Sequence, residues 1–357
     1  MSASSVLPPY PHSTLGELHE LAKQHGEVID LSIGTPCDPP PAKVLEILGS
    51  SGAERGYPPS PGTARFREAA AAWMERRFSV AVEAANVAAC VGTKELVAGL
   101  PSWLRLLRPE RALVLHPKLA YPSYAMGAFL AGAEATPFSD QTSALCRWVN
   151  SPSNPTGELD DLEGAARWAT GNDTPVLSDE CYAELTWDGP PRTILEHGGD
   201  SVLAVHSLSK RSNLAGLRAG FFTGDAVLME HLVEVRRHAG LMVPGPVQEA
   251  AAAALDDDDH AATQADRYRS RLERCAAALR DWGLSDAPLP AGGIYLWVQS
   301  PDGDGWNLAR RLAEQAGAVV APGSLYGEAG AAHVRIAMTT PDAKLDLVLS
   351  RLALSSF

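Results

Sequence analysis

Short runs of apolar and β-branched residues alternate along this chain with longer, Ala-rich stretches whose charged positions recur at helical spacing. That alternation predicts an α/β protein with a largely parallel sheet, because parallel strands need a helical crossover between them. ALVLHP (112–117), TPVLSDE (174–180) and SVLAVHSLS (201–209) read as buried strands, and LCRWVN (145–150) is strand-like. FREAAAAWMERRF (66–78), LEGAARWAT (162–170) and RYRSRLERCAAALRDWG (267–283) read as helices, the last closed by a glycine stop. Beyond it the texture changes to GGIYLWVQ, AGAVVAPG and HVRIAM, short strands parted by Gly and Pro, which predicts a smaller α+β domain. Ligands of open α/β sheets bind beyond the carboxyl ends of strands, so the polar tails of the apolar strands are where chemistry is expected.

Composition narrows the class of chemistry. The 357 residues are 45% hydrophobic, which excludes disorder and suits roughly two domains. With 43 acidic against 30 basic side chains the formal charge is −13, which argues against a nucleic-acid footprint and against docking on an anionic membrane. Small-molecule chemistry remains. No Lys or Arg precedes Lys23 and no unbroken apolar core follows the start, so no signal peptide is expected. The longest uncharged stretch worth testing as a membrane span, LAYPSYAMGAFLAGA (119–133), is too short and carries Pro, Ser, two Tyr and two Gly. Five cysteines (Cys37, Cys90, Cys146, Cys181, Cys275) without CxxC spacing fit neither a disulfide framework nor a zinc site, and a cytoplasmic location is expected. The run Asp256–Asp259 reads as a solvated turn or helix end rather than a metal site, since adjacent aspartates point in different directions.

Three segments carry candidate chemistry. In SLSKRSNLAGLRAGFF (207–222) a lysine follows an apolar strand, with Ser207 and Ser209 before it and Arg218 after it. Lys210 is either a solvated surface lysine or an amine that begins near a buried crevice, where it can lose its proton and form a Schiff base with a carbonyl. In VLSDECYAEL (176–185) a strand delivers Asp179 and then Tyr182, and a carboxylate there can cap a helix, bind a metal or act as acid or base. In NSPSNPTGELDD (150–161) Asn154 lies in a Pro-bounded loop, first of all a turn signal.

Taken in order, NPTG (154–157), DECY (179–182) and SLSK (207–210) with GLR (216–218) resemble the fold type I pyridoxal-phosphate enzymes, specifically the class I/II aminotransferases. The resemblance implies a large domain with a mostly parallel sheet between helices, over residues 42–262. It also implies a small α+β domain split between residues 1–41 and 263–357. Lys210 would hold the cofactor's aldehyde and shuttle the substrate proton. Asp179 would pair with the pyridinium nitrogen, and Asn154 and Tyr182 would bond the phenolic oxygen. Ser207, Ser209 and Arg218 would hold the phosphate, joined by Gly92, Thr93 and Lys94 from CVGTKELVAGL (90–100), where a helix begins. Tyr121 matches the aromatic that stacks on the cofactor, its alternative being a packed core tyrosine. Tyr57, in GYPPSPGTARFREAAAAWM (56–74), matches the tyrosine that reaches the neighbouring subunit's phosphate, which implies a homodimer. Gly34 and Arg335 match positions that receive the substrate α-carboxylate, Asn154 also lying at the substrate.

LSIGTPCDPPP, SDECYAEL and SLSKRSNLAG are most similar to the N-succinyldiaminopimelate aminotransferases of the actinobacterial type, which use glutamate on the path to diaminopimelate and lysine. One departure is Leu217, where an aromatic residue is expected before Arg218. The implied reaction is ping-pong transfer from glutamate, released as 2-oxoglutarate, to an oxo-acid acceptor. Aminotransferases of other specificity (aspartate, alanine or aromatic), a C–S lyase on the same fold and a non-enzymatic sensing domain are the alternatives. Lys94, Arg211 and Arg65 are candidates to read the acceptor's distal end.

Overall fold

A computed structural model describes residues 7–8, 10–50, 56–139, 143–284 and 287–357. The first six residues, on which the reading of the chain start partly rests, lie outside them. The chain forms two compact units, one of Met1–Thr35, Ser270–Leu289 and Ile294–Phe357, the other of Pro36–Arg269 and Pro290–Gly293. The expected joins were at 41/42 and 262/263. Packing puts one join within the single helix Asp258–Trp282, where no composition break marks it.

The larger unit is built on a seven-stranded mixed sheet. From one edge the strands run Val87–Cys90, Gly220–Gly224, Val202–Ser207, Val176–Asp179, Cys146–Asn150, Leu113–His116 and Glu134–Pro137. The last five are mutually parallel, while Gly220–Gly224 runs antiparallel to both of its neighbours. Val176–Asp179 and Val202–Ser207 are buried along their whole length, as strands covered on both faces must be. Alternation then assigns the faces. Leu177, Leu203 and Val205 pack with Trp148 and Tyr124 against the helices Thr93–Leu107 and Ser123–Leu130. Val176, Val202 and Ala204 pack with Val149 on the other face against the helix Leu162–Asn172.

The helices start where side chains can satisfy their first amides. Thr63 accepts from Phe66 N at 3.2 Å, Asp161 from Gly164 N at 2.8 Å and Asp225 from Leu228 N at 2.9 Å. The acidic run proves to be such a start: Asp258 and Asp259 open the helix Asp258–Trp282, where negative charge suits the helix dipole. Arg76 Nε holds Asp258 at 3.0 Å and Arg65 holds Asp256.

In the smaller unit, Tyr295–Gln299, His333–Ala337 and Ala321–Pro322 form an antiparallel sheet, and Ile29–Asp30 pairs in parallel with Ala318–Val319. There the buried Arg271 forks the exposed Asp342 at 3.0 and 3.1 Å, the geometry that compensates a desolvated guanidinium. No helix among the described residues is long and apolar enough to cross a membrane.

Trp148 is the largest fully buried side chain of the larger unit, stacked on Tyr124 with ring centroids 4.8 Å apart. Trp148→Ala should lower unfolding free energy by about 3–5 kcal/mol in a urea titration, the usual cost of an aromatic-sized cavity.

Candidate active site

Three strand ends meet at one level of the sheet. The register sets Asn150 opposite Asp179 and Asp179 opposite Val205, two residues before Ser207. Ser207 ends its strand and caps the short helix Leu208–Arg211, its hydroxyl accepting from Ser209 N at 3.1 Å. Lys210 is thereby carried in the first turn beyond a buried strand.

Asp179 is 6% exposed, and both of its oxygens have donors. The Tyr124 hydroxyl donates to Oδ2 at 2.8 Å and the Cys181 amide to Oδ1 at 3.2 Å. Burial pushes the Asp179 carboxyl above the usual aspartate range, while the Cys181 and Tyr124 bonds and the Lys210 charge pull it back. Tyr124 is itself driven well above its ordinary value by burial and by the Asp179 charge, so it stays a phenol and a donor. Asn150 fixes the loop above: its Nδ2 donates to the Asp179 carbonyl at 2.8 Å and its Oδ1 accepts from Asn154 N at 2.7 Å. Asn154 and Tyr182 are buried. Tyr121 is half-buried and meets Tyr124 edge-on at 5.8 Å.

A cradle for an anion adjoins the acid. Gly92 has φ +72° and precedes the helix Thr93–Leu107, leaving the first amides of that helix without intrahelical acceptors. The Arg218 guanidinium lies so close over Gly92 that a Cβ there would collide with it. Arg218 itself takes φ +58° and donates Nη1 to Ala215 O at 2.9 Å, which aims the side chain. Cys181 links the two regions, since its amide bonds Asp179 and its thiol lies 3.3 Å from Thr93 Oγ1. A cradle of amides and guanidinium beside a buried carboxylate fits a ligand with an anionic end and a cationic ring nitrogen. Pyridoxal phosphate is such a ligand.

In the smaller unit Gly34 and Arg335 are brought together by Tyr295. A Cβ at Gly34 would collide with the Tyr295 hydroxyl. Arg335 is 3% exposed, lies 4.0 Å over the Tyr295 ring and 4.7 Å over Tyr326, and donates to Ser32 O at 2.5 Å.

Some expected residues stand elsewhere. Tyr57 is 96% exposed and joins no cluster within one chain. Lys94 is exposed on the first turn of its helix. Arg211 is withdrawn as a reader of substrate: it is buried, clamped by Glu184 and by Ser212 and Ala254 O, and its charge is already balanced. Arg65 is held by Asp256. Sequence reasoning gave no role to Tyr124, Asn150 or Cys181, although the Tyr121–Tyr124 spacing and the strand-ending Asn150 are visible signals. It also missed a buried Glu180–His206 pair, 3.3 Å apart, among Trp73, Phe78 and Phe221.

This strand order, with a lysine and an aspartate on neighbouring strand ends beside a helix-start anion cradle, defines a pyridoxal-phosphate enzyme of fold type I. The family model for aminotransferase class I and II matches residues 26–352, and the chain belongs to that family of pyridoxal-phosphate-dependent aminotransferases. It is 42% identical to "Probable aminotransferase Rv1178" of Mycobacterium tuberculosis, over 98% of this chain and 86% of that one. It is 40% identical to the 4-dedimethylamino-4-oxo-anhydrotetracycline transaminase OxyQ of Streptomyces rimosus, over 97% and 99%. An LL-diaminopimelate aminotransferase of Dehalococcoides mccartyi is 32% identical over 97% and 96%. Among solved structures, an aminotransferase from Neisseria meningitidis superposes with a TM-score of 0.88 at 30% identity, over 98% of both chains. Substrate-bound BacF from Bacillus subtilis gives 0.89 at 26%, over 99% and 98%.

The Glu180–His206 pair supplies a pH test. Burial pushes Glu180 from 4.5 up to about 7 and His206 from 6.5 down to about 3, so both favour their neutral forms. The folded state holds the Glu180 proton more tightly than the unfolded chain, so its stabilising contribution is present below about pH 4.5 and is lost as pH rises through about 7. Glu180→Gln should therefore gain stability relative to the parent across that window in thermal unfolding. A difference that is flat with pH would show that Glu180 is ionised throughout.

Proposed function

We propose that this aminotransferase takes its amino group from glutamate and delivers it, after release of 2-oxoglutarate, to N-succinyl-2-amino-6-oxoheptanedioate, the succinyldiaminopimelate transaminase step of lysine and diaminopimelate synthesis. The observation that carries the catalytic reading is the buried Asp179, with a donor on each oxygen and the charge of Lys210 acting on it. The choice of acceptor is supported by the motif resemblance and by diaminopimelate-specific relatives at 30–32% identity.

Bound pyridoxal phosphate supplies an electron sink for the bond electrons released at the substrate α-carbon. The protein's own groups do the rest. Ser207, Ser209, Arg218 and the amides that follow Gly92 at Thr93 and Lys94 hold the phosphate. Asp179 holds the proton on the ring nitrogen, Asn154 and Tyr182 bond the phenolic oxygen, and Tyr121 covers one ring face. Lys210 would hold the cofactor at its aldehyde carbon and, once displaced by the substrate amine, would move the proton between the substrate α-carbon and the cofactor's C4′ carbon. Arg335 forks the substrate α-carboxylate and Gly34 brings the backbone to it. Tyr57, exposed on one chain, reaches the phosphate of a second copy in a homodimer.

A second acceptor class has its own support, the 40% identity to a transaminase named for a polycyclic oxo substrate. A panel of acceptors with glutamate as donor separates the readings. The highest kcat/KM is expected on the succinylated oxo-heptanedioate. A higher value on a polycyclic ketone would favour the second reading, and release of pyruvate and ammonia from β-substituted amino acids without a half reaction on glutamate would favour a lyase. Lys210→Ala should cut turnover by at least about a hundredfold, the scale of a lost general base, with the unfolding midpoint little changed.

A further inference from the structure

The cradle has a charge problem that the structure solves through a residue outside it. Glu95 is the third residue of the helix Thr93–Leu107, placed in the turn whose amides face the phosphate in the reading above. Its Oε2 accepts from Val91 N at 3.2 Å, which fixes the turn just ahead of Gly92. A carboxylate there tethers the loop, but it also sets a negative charge beside the place where a phosphate must sit, and like charges at such range repel.

Arg236 meets that charge. It comes from the helix Ala226–His238, is 1% exposed, and donates Nη1 to Glu95 Oε1 at 2.7 Å and Nη2 to Leu241 O at 3.1 Å. Trp103 and Phe222 flank its guanidinium at 5.4 and 5.8 Å. Both oxygens of Glu95 are thus occupied, one holding the loop and one neutralised. A second observation places the pair in the same field as the cradle. The Cys90 thiol, pushed up to about 12 by burial, is drawn down by Arg236 and by Arg218 and pushed further up by Glu95.

We propose that Arg236 is a positioning residue for cofactor phosphate binding: it cancels the Glu95 charge so that the Val91–Gly92 turn can be tethered by a carboxylate without repelling the phosphate. The proposal rests on the reading that Gly92–Lys94 and Arg218 hold that phosphate. A buried ion pair of purely structural purpose would affect stability and leave the preference for a phosphorylated ligand unchanged.

The test uses cofactor-free protein titrated with pyridoxal phosphate and separately with pyridoxal, which has the same ring and no phosphate, following protein fluorescence. Arg236→Met should weaken pyridoxal phosphate binding by about tenfold with pyridoxal unchanged, and adding Glu95→Gln should restore it to within about threefold, because neighbours in one network couple. Equal losses for both ligands, or no recovery in the double variant, would overturn the proposal. Should Arg236→Met not fold, Glu95→Gln alone decides: it keeps an acceptor for Val91 and removes the negative charge, so pyridoxal phosphate must bind at least as tightly as to the parent, and a tenfold loss overturns the proposal. Arg218→Ala separates the two levels. If it leaves the phosphate preference intact, the cradle reading itself fails; if it weakens the preference while Arg236→Met does not, only the role of Arg236 fails.

Discussion

The arrangement depends on a carboxylate set where burial works against its charge and its hydrogen-bond donors work for it. Asp179 sits at the end of a strand covered on both faces, and desolvation alone would drive it toward its neutral form. Its two donors and the nearby lysine oppose that drift. Each of those groups is held by something else. The Tyr124 hydroxyl is aimed by stacking on Trp148, and the Cys181 amide by the turn that follows the strand. The Cys181 thiol reaches Thr93 at the start of the cradle helix, so the acid and the anion cradle share one piece of local geometry. The common level of Asn150, Asp179 and Val205 in the sheet is what brings these groups to one place.

The next residue, Glu180, is buried to a similar depth and is pushed up to about 7. Glu180 points to the other face of the sheet, where its carboxylate receives Ser178 Oγ and Ile194 N at 2.8 Å each and faces a neutral imidazole walled by aromatic rings. No cation offsets its desolvation, and burial wins. Adjacent side chains along an extended chain point to opposite faces, so two neighbouring acids meet different environments.

Much of this was legible before any coordinates. Periodicity marked the central strands, and Asp179 ends one of them while Asn154 and Lys210 follow the ends of its two neighbours. The antiparallel edge of Val87–Cys90 and Gly220–Gly224 was not marked, because runs of four and five small or mixed residues carry no distinctive period. Arg211 looked available because charge is visible in a sequence and compensation is not: Glu184 lies 27 residues away in the chain and meets it only in the fold. The same limit hid Arg236, whose partner Glu95 is 141 residues distant. Tyr124 and Trp148 are core residues, yet the hydroxyl on one of them serves Asp179.

The charge of −13 gains a local meaning from these pairs. The cofactor phosphate and the proposed donor, glutamate, are anions, and the overall field opposes their approach, although salt screens it beyond roughly 8 Å. Attraction must come from small cationic places whose neighbouring acids are already neutralised or engaged. In the proposed site the charge of Asp179 drives the chemistry, while groups other than Asp179 hold the phosphate. The most direct measurement is turnover with glutamate by Asp179→Asn protein loaded with cofactor, since the amide keeps the shape and removes the charge. The account predicts that pyridoxal phosphate still binds and that turnover falls by at least about a hundredfold. Turnover within about threefold of the parent would contradict it.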